Sequence, residues 1–169
     1  MANYDDKQDY ENEYLEDELD SQKDKYITFM LEQEEYAIEI MYVTEIVGLQ
    51  KITILPDMPE FIKGVINLRG NVIPIISVRR RFRMEEIPFD ERTCIIVVTI
   101  DQSSVGLIVD EVSEVLDIPN DKVDPAPRTG RSQNRYIKGI GKVGENVKII
   151  LSLDSMLSEE EMAGLAEFA

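Results

Sequence analysis

The sequence predicts an all-β protein built from two similar small units packed on one apolar seam. Three observations carry this. Short runs of Val, Ile, Tyr and Phe recur between Gly, Pro and Asn breaks, which favours small barrels over a parallel α/β sheet. Residues 61–78 align without gaps with residues 136–153, so that Ile62 meets Ile137, Lys63 meets Lys138, Gly64 meets Gly139 and Asn71 meets Asn146. Residues 28–49 likewise align with residues 97–118, and the extra residues of the second copy fall in 119–135, a polar Pro- and Gly-containing loop where an insertion is best tolerated. The units span about residues 26–80 and 94–153, with 79–93 between them. Neither is large enough to bury much alone, so a shared seam is expected, with exchange of strands as one way to build it.

Along the chain, residues 1–22 hold nine carboxylates against Lys7 alone, which is −8 of the net −16. With little aliphatic material to offset the entropy of ordering, this acidic tail is expected to be disordered. Residues 26–31 and 36–40 are β-rich runs around a polar break at 32–35, which reads as a hairpin. The spacing of Ile40, Val43 and Val47 suggests two helical turns or a tight bend, after which 49–55 resume as strand until Pro56 and Pro59 close the segment. Residues 61–78 form a second hairpin around Arg69-Gly70-Asn71, because Gly and Asn tolerate positive φ. At the far end, Ser158 with Glu161 has the form of a capping box, predicting a terminal helix over about 159–168.

Several chemistries are excluded or weakened. Histidine is absent, which removes the commonest general base and metal ligand and makes a Ser-His-Asp triad impossible. Gly139-Ile140-Gly141-Lys142-Val143-Gly144 matches a dinucleotide fingerprint in spelling, but a strand follows it where the pyrophosphate-binding helix would have to start. Glu85-Glu86 and Asp121 with Asp124 lie in polar stretches and read as solvated surface. Cys94 is single and heads an apolar run, so it reads as a small core residue. Arg79-Arg80-Arg81 with Arg83 is the one basic cluster, and it reads as compensation of the chain's own carboxylates or as part of a protein contact, since no aromatic stacking platform accompanies it and the net charge opposes nucleic acid. No cofactor, metal, nucleic-acid partner or membrane insertion is expected. No apolar run approaches the roughly 20 residues of a bilayer span, and the N-terminus lacks a signal-peptide layout, so a cytoplasmic protein is expected.

Duplication also provides an internal control, because positions kept in both copies serve the common fold. Gly64 with Gly139 and Asn71 with Asn146 belong to that class. Arg69 instead meets Gly144, so an arginine at the tip of only one hairpin is a candidate contact residue.

Tyr36-Ala37-Ile38, Val43-x-Glu45-Ile46, Phe61-Ile62-Lys63-Gly64, Asn67-Leu68-Arg69-Gly70, Pro74-Ile75-Ile76 and Gly106-Leu107-Ile108-Val109-Asp110-x-Val112-Ser113-Glu114-Val115-Leu116 together resemble the CheW family of bacterial chemotaxis coupling proteins, over about residues 25–165. The resemblance implies a non-enzymatic scaffold of two intertwined five-stranded SH3-like barrels with short helical turns and a C-terminal helix. It implies partners too: the regulatory domain of the histidine kinase CheA, chemoreceptor signalling tips, and copies of itself in array rings, with recruitment from the cytoplasm to receptor arrays. It further implies receptor contacts at Arg69, Glu45, Val43, Ile40 and Val115, in a groove between the barrels, and a kinase-binding or structural role for Gly64. Ser77 departs from the family's usual Asp and puts any salt bridge of that Asp in doubt. The rival from another class is a small-molecule-binding β-barrel or enzyme, which would show a deep polar cavity with converging carboxylates.

Overall fold

A computed structural model describes residues 22–127 and 135–157. It comprises strands β1 (Lys25–Leu31), β2 (Glu34–Glu39), β3 (Val43–Gly48), β4 (Ile62–Leu68), β5 (Asn71–Ser77), β6 (Cys94–Ile100), β7 (Ser103–Val109), β8 (Glu111–Asp117), β9 (Val123–Pro125), β10 (Ile137–Val143) and β11 (Asn146–Leu151). One helical turn, α1 (Val78–Arg81), follows β5, and another, α2 (Leu153–Met156), follows β11. The predicted acidic tail and the predicted helix over 159–168 lie outside the described residues, apart from residue 22.

The strands form two sheets with orders β8-β1-β2-β11-β10-β9 and β3-β6-β7-β5-β4. Each strand of the first unit has its counterpart 69 or 75 residues later, and on that correspondence the two orders are the same. The first hairpin of each unit sits in the other unit's sheet. β1 and β2 join β8, β10 and β11, while β6 and β7 join β3, β4 and β5. The joints are two parallel pairings, β2 with β11 (Tyr36 beside Ile149) and β5 with β7 (Ile75 beside Gly106). The two barrels expected from the resemblance are therefore interlocked by exchange.

Exchange explains why the Val- and Ile-rich runs are continuous instead of alternating. On β6, Ile95 and Val97 face the core of the five-stranded sheet while Ile96 and Val98 face the seam. On β1, Ile27, Phe29 and Leu31 face that seam while Tyr26 faces the other sheet's own core. A strand buried on both faces has no polar side to show. Each such aliphatic side chain contributes on the order of 1.5–3 kcal/mol of burial. A line of rings, Phe29, Tyr36, Phe82 and Tyr136, with centroids 5.9, 5.8 and 5.8 Å apart, continues the seam to the start of the last hairpin.

The duplication extends into the helical turns. The Ser77 hydroxyl accepts the Arg80 N–H at 3.3 Å, and the Ser152 hydroxyl accepts the Ser155 N–H at the same distance. Ser77 is thus an N-cap, a task Ser and Asp perform equally well, and α1 needs no salt bridge there.

Four details differ from expectation. One sheet has six strands instead of five, because the polar loop 119–135 contains a 3-10 turn (Asn120–Lys122) and β9, which pairs with β10. The first unit keeps only a remnant of that strand, a single bridge between Thr53 and Val65. Residues 49–55 accordingly do not resume as strand: β6 begins opposite Gly48 and offers them no further ladder, and only Thr53 finds a partner, in that bridge. After a 3-10 turn (Ile40–Tyr42), residues 43–48 are strand and not helix, because the interval of four between Val43 and Val47 suits period 2 as well as period 3.6. The turn of the second hairpin is Arg69-Gly70, with φ of 52° and 87°, so Asn71 already belongs to β5.

Candidate functional site

Positive φ at both Arg69 and Gly70 makes this a two-residue hairpin turn of the type whose twist matches that of its strands. The Asn67 carboxamide accepts the Gly70 N–H at 2.9 Å and fixes the turn. A non-glycine residue in the left-handed region costs about 1 kcal/mol. The second copy avoids that cost, because Gly144 occupies the same corner with φ of 60°. Arg69 therefore sits in a conformation the fold does not need an arginine to adopt.

The arginine reaches from the tip to Glu45 on β3, where its Nη2 donates to Glu45 Oε1. Arg69 is 71% exposed and Glu45 25%. Their hydrogen bond holds the Glu45 carboxyl below the usual carboxylate range and pushes the Arg69 guanidinium higher still. Beneath the pair lies a groove of about 400 Å³, floored by Leu68, Ile73 and Val97 and rimmed by Thr44, Asn71, Gln102 and Ser104. No convergence of carboxylates is found in it. Glu45 is its one acid, and that acid is paired.

This groove belongs to the five-stranded sheet and not to the interval between the two sheets. Its walls nevertheless come from both sequence units, β3, β4 and β5 from the first and β6 and β7 from the second, because of the exchange. Its positions in the other sheet are occupied differently. Ile73 is replaced there by Lys148 and Ser104 by Glu35, and these two form an ion pair in which Lys148 is buried and Glu35 partly so.

The remaining expected contacts distribute as follows. Val43, at the head of the same strand as Glu45, is half-buried against the seam, and Ile40 opens the 3-10 turn that leads into that strand. Val115 lies on β8 in the six-stranded sheet, 52% exposed, at the position equivalent to Ile46, which is 43% exposed. The structure joins Arg69 to Glu45 and keeps Val43 and Ile40 on the same connection, while Val115 shares no sheet with them.

Gly64 has a backbone role. Its φ is 143°, and a Cβ would stand 2.1 Å from the Thr53 carbonyl oxygen. Thr53 and Val65 exchange two backbone hydrogen bonds, of 2.8 and 2.9 Å, across that contact. Gly139 faces β9 in the same way, 2.9 Å from the Asp124 carbonyl oxygen, and both glycines adjoin a register shift in their hairpins.

Two arginines of the cluster, Arg79 and Arg81, are engaged within the fold. Arg79 donates to both oxygens of Asp110, to Glu32 and to the Glu85 carbonyl, leaving its side chain 9% exposed. The Arg81 guanidinium stands 4.4 Å from the Phe61 ring centre and 4.5 Å from that of Tyr136. The floor residue Val97 has no signal in the sequence, because a groove-facing valine and a core valine look alike in a run.

Exchanged hairpins around one seam and a paired arginine tip over a shallow groove define a class, a duplicated β-scaffold with a surface suited to binding. A model of the CheW-like domain matches residues 25–161. The chain is 40% identical to the chemotaxis protein CheW of Klebsiella aerogenes over 140 residues, 82% of this chain and 84% of that one. It is 33% identical to CheW of Bacillus subtilis over 138 residues, 81% and 88% of the two chains. The crystal structure of the scaffolding protein TtCheW from Thermoanaerobacter tengcongensis superposes with a TM-score of 0.75 at 35% identity, covering 82% of this chain and 94% of that chain. The chain belongs to the CheW-like family, and it is a non-enzymatic adaptor of chemotaxis signalling. Among the described residues no helix is long and apolar enough to cross a membrane.

Proposed function

We propose that this chain bridges chemoreceptor signalling tips to the regulatory domain of the histidine kinase CheA, with the groove beneath Arg69 as part of the receptor-facing surface. One observation carries the reading. An arginine is kept at positive φ over an apolar floor where the duplicated unit has glycine, and strain retained at one of two equivalent corners points to selection for contact. Glu45 orients the guanidinium, Val43 and Ile40 shape the approach along β3, and Val115 extends the apolar surface on the other sheet. Gly64 supports partner binding by letting the Thr53 segment lie flat on β4. Recruitment to receptor arrays at the membrane, and packing of further copies in array rings, follow from such bridging. The test is reconstitution of this protein with a receptor fragment and the kinase, reading kinase activity. Arg69→Ala is expected to lose receptor association and kinase control while melting within a degree or two of the parent. Wild-type coupling by Arg69→Ala would remove the reading.

A further inference from the structure

Three hydroxyl side chains form a row across the five-stranded sheet beside the Arg69–Glu45 pair. Thr44 Oγ1 on β3 lies 2.7 Å from Thr99 Oγ1 on β6, and Thr99 Oγ1 lies 3.1 Å from Ser104 Oγ on β7. A register shift between Val43 and Glu45 makes Thr44 the extra residue of β3, and such a bulge re-aims its side chain. Thr44 and Ser104 line the groove, and Thr99 stands two residues beyond the floor residue Val97, hence on the same face of β6.

The fold does not require this row. At the equivalent positions of the other sheet stand Ser113, Met30 and Glu35, which cannot form one. Its chemistry is that of a flexible reader. Three hydroxyls carry three protons, the two mutual bonds use two of them, and one proton with several lone pairs remains for an outside group. The row also reverses direction by rotation of the hydroxyls, so either end donates or accepts. Arg69 and Glu45, the groove's charged groups, answer one another, so its mouth asks for no ionic partner. An acidic segment would in addition meet the chain's net charge of −16.

We propose that Thr44, Thr99 and Ser104 form a specificity strip that reads a side-chain carboxamide on the receptor segment docking in the groove, next to an apolar side chain seated on Ile73 and Val97. A carboxamide presents a donor and an acceptor side by side, which matches one spare proton and one lone pair on neighbouring hydroxyls. This inference rests on the receptor-facing reading of the groove.

The experiment is titration calorimetry of the full chain with a soluble chemoreceptor fragment carrying the signalling tip, for the parent, Thr99→Val, Ser104→Ala and Arg69→Ala. Thr99→Val removes the middle hydroxyl at constant shape and is expected to weaken binding roughly 3- to 10-fold, with the salt dependence unchanged, as for a neutral hydrogen bond. Ser104→Ala is expected to weaken it too, and serves if Thr99→Val disturbs packing. Replacing the recognised Asn or Gln of the fragment by Ala is expected to cost nothing further in the Thr99→Val background. Parent affinity in both hydroxyl variants, with Arg69→Ala impaired, would show that the groove docks the receptor without the strip. Parent affinity in all three variants would remove the receptor-facing reading itself, and the strip with it.

Discussion

Arg79 grips Asp110 with two hydrogen bonds, Nε to Oδ1 at 2.7 Å and Nη2 to Oδ2 at 2.6 Å. Asp110 is the residue between β7 and β8, where the chain crosses from one sheet to the other, and its Oδ2 also accepts the Glu32 N–H from the β1–β2 turn at 3.1 Å. The pair therefore fastens the crossover, the exchanged hairpin and α1 at one point. Removing one partner of such a pair strands the other charge.

Arg79→Ala is accordingly expected to destabilise the chain by about 3–5 kcal/mol. Arg79→Lys should recover only part of this, since an ammonium cannot span both carboxylate oxygens. Urea denaturation of the two variants checks the order, and equal stability of Arg79→Lys and the parent would show that bidentate geometry is unimportant here.

Arg69→Gly makes the opposite trade. It relieves a left-handed arginine, worth about 1 kcal/mol, and gives up an ion pair that is exposed and screened by solvent. The variant should be no less stable than the parent yet fail to bind receptor, while Gly144→Arg should lose stability. Thermal melts alongside receptor pull-down provide the comparison, and a marked loss of stability in Arg69→Gly would make the residue structural.

Gly64→Ala should be among the most damaging single-methyl changes, at about 2–4 kcal/mol, because the new methyl meets a backbone oxygen and φ is unsuited to alanine. Gly139→Ala should cost less, since a methyl there would stand 2.8 Å from a Val123 methyl and 2.9 Å from the Asp124 carbonyl oxygen, farther than the 2.1 Å at Gly64, and Gly139 does not have positive φ. Calorimetric melting of both variants ranks them.

Ionisation of Glu45 offers a pH test. Its carboxyl is held below its ordinary value by the Arg69 hydrogen bond, so the pair's contribution is present above the unfolded-state pKa and disappears as pH falls through the folded one. Carboxyl-carbon NMR titration should find Glu45 moving upward in Arg69→Ala. An unchanged titration would mean that the two side chains do not meet in solution.

The two hairpins were legible because the Val- and Ile-rich runs, broken at Glu32 and at Arg69-Gly70, carry local signals of strand and turn. Arg69 could be singled out because the second copy spells Gly144 there. Pairing of β2 with β11 was not legible, since two copies of nearly the same strands leave partner choice to the tertiary seam. The remnant at Thr53 and the sixth strand β9 differ for a similar reason, each depending on what chain lies beside Gly64 or Gly139. Glu45 entered only through family resemblance, for its position on β3 lies far from the hairpin tip in sequence. Thr99 gave no signal, because a threonine in a strand is ordinary until its neighbours across the ladder are known.

The most direct measurement is an NMR titration of the isotope-labelled chain with the receptor signalling-tip fragment. Amide shifts are expected at the Arg69-Gly70 turn, along β3 and at the β6–β7 turn beside Ser104. Shifts confined to the six-stranded sheet, with the Arg69 turn and Val97 unmoved at saturation, would contradict the assignment of the groove.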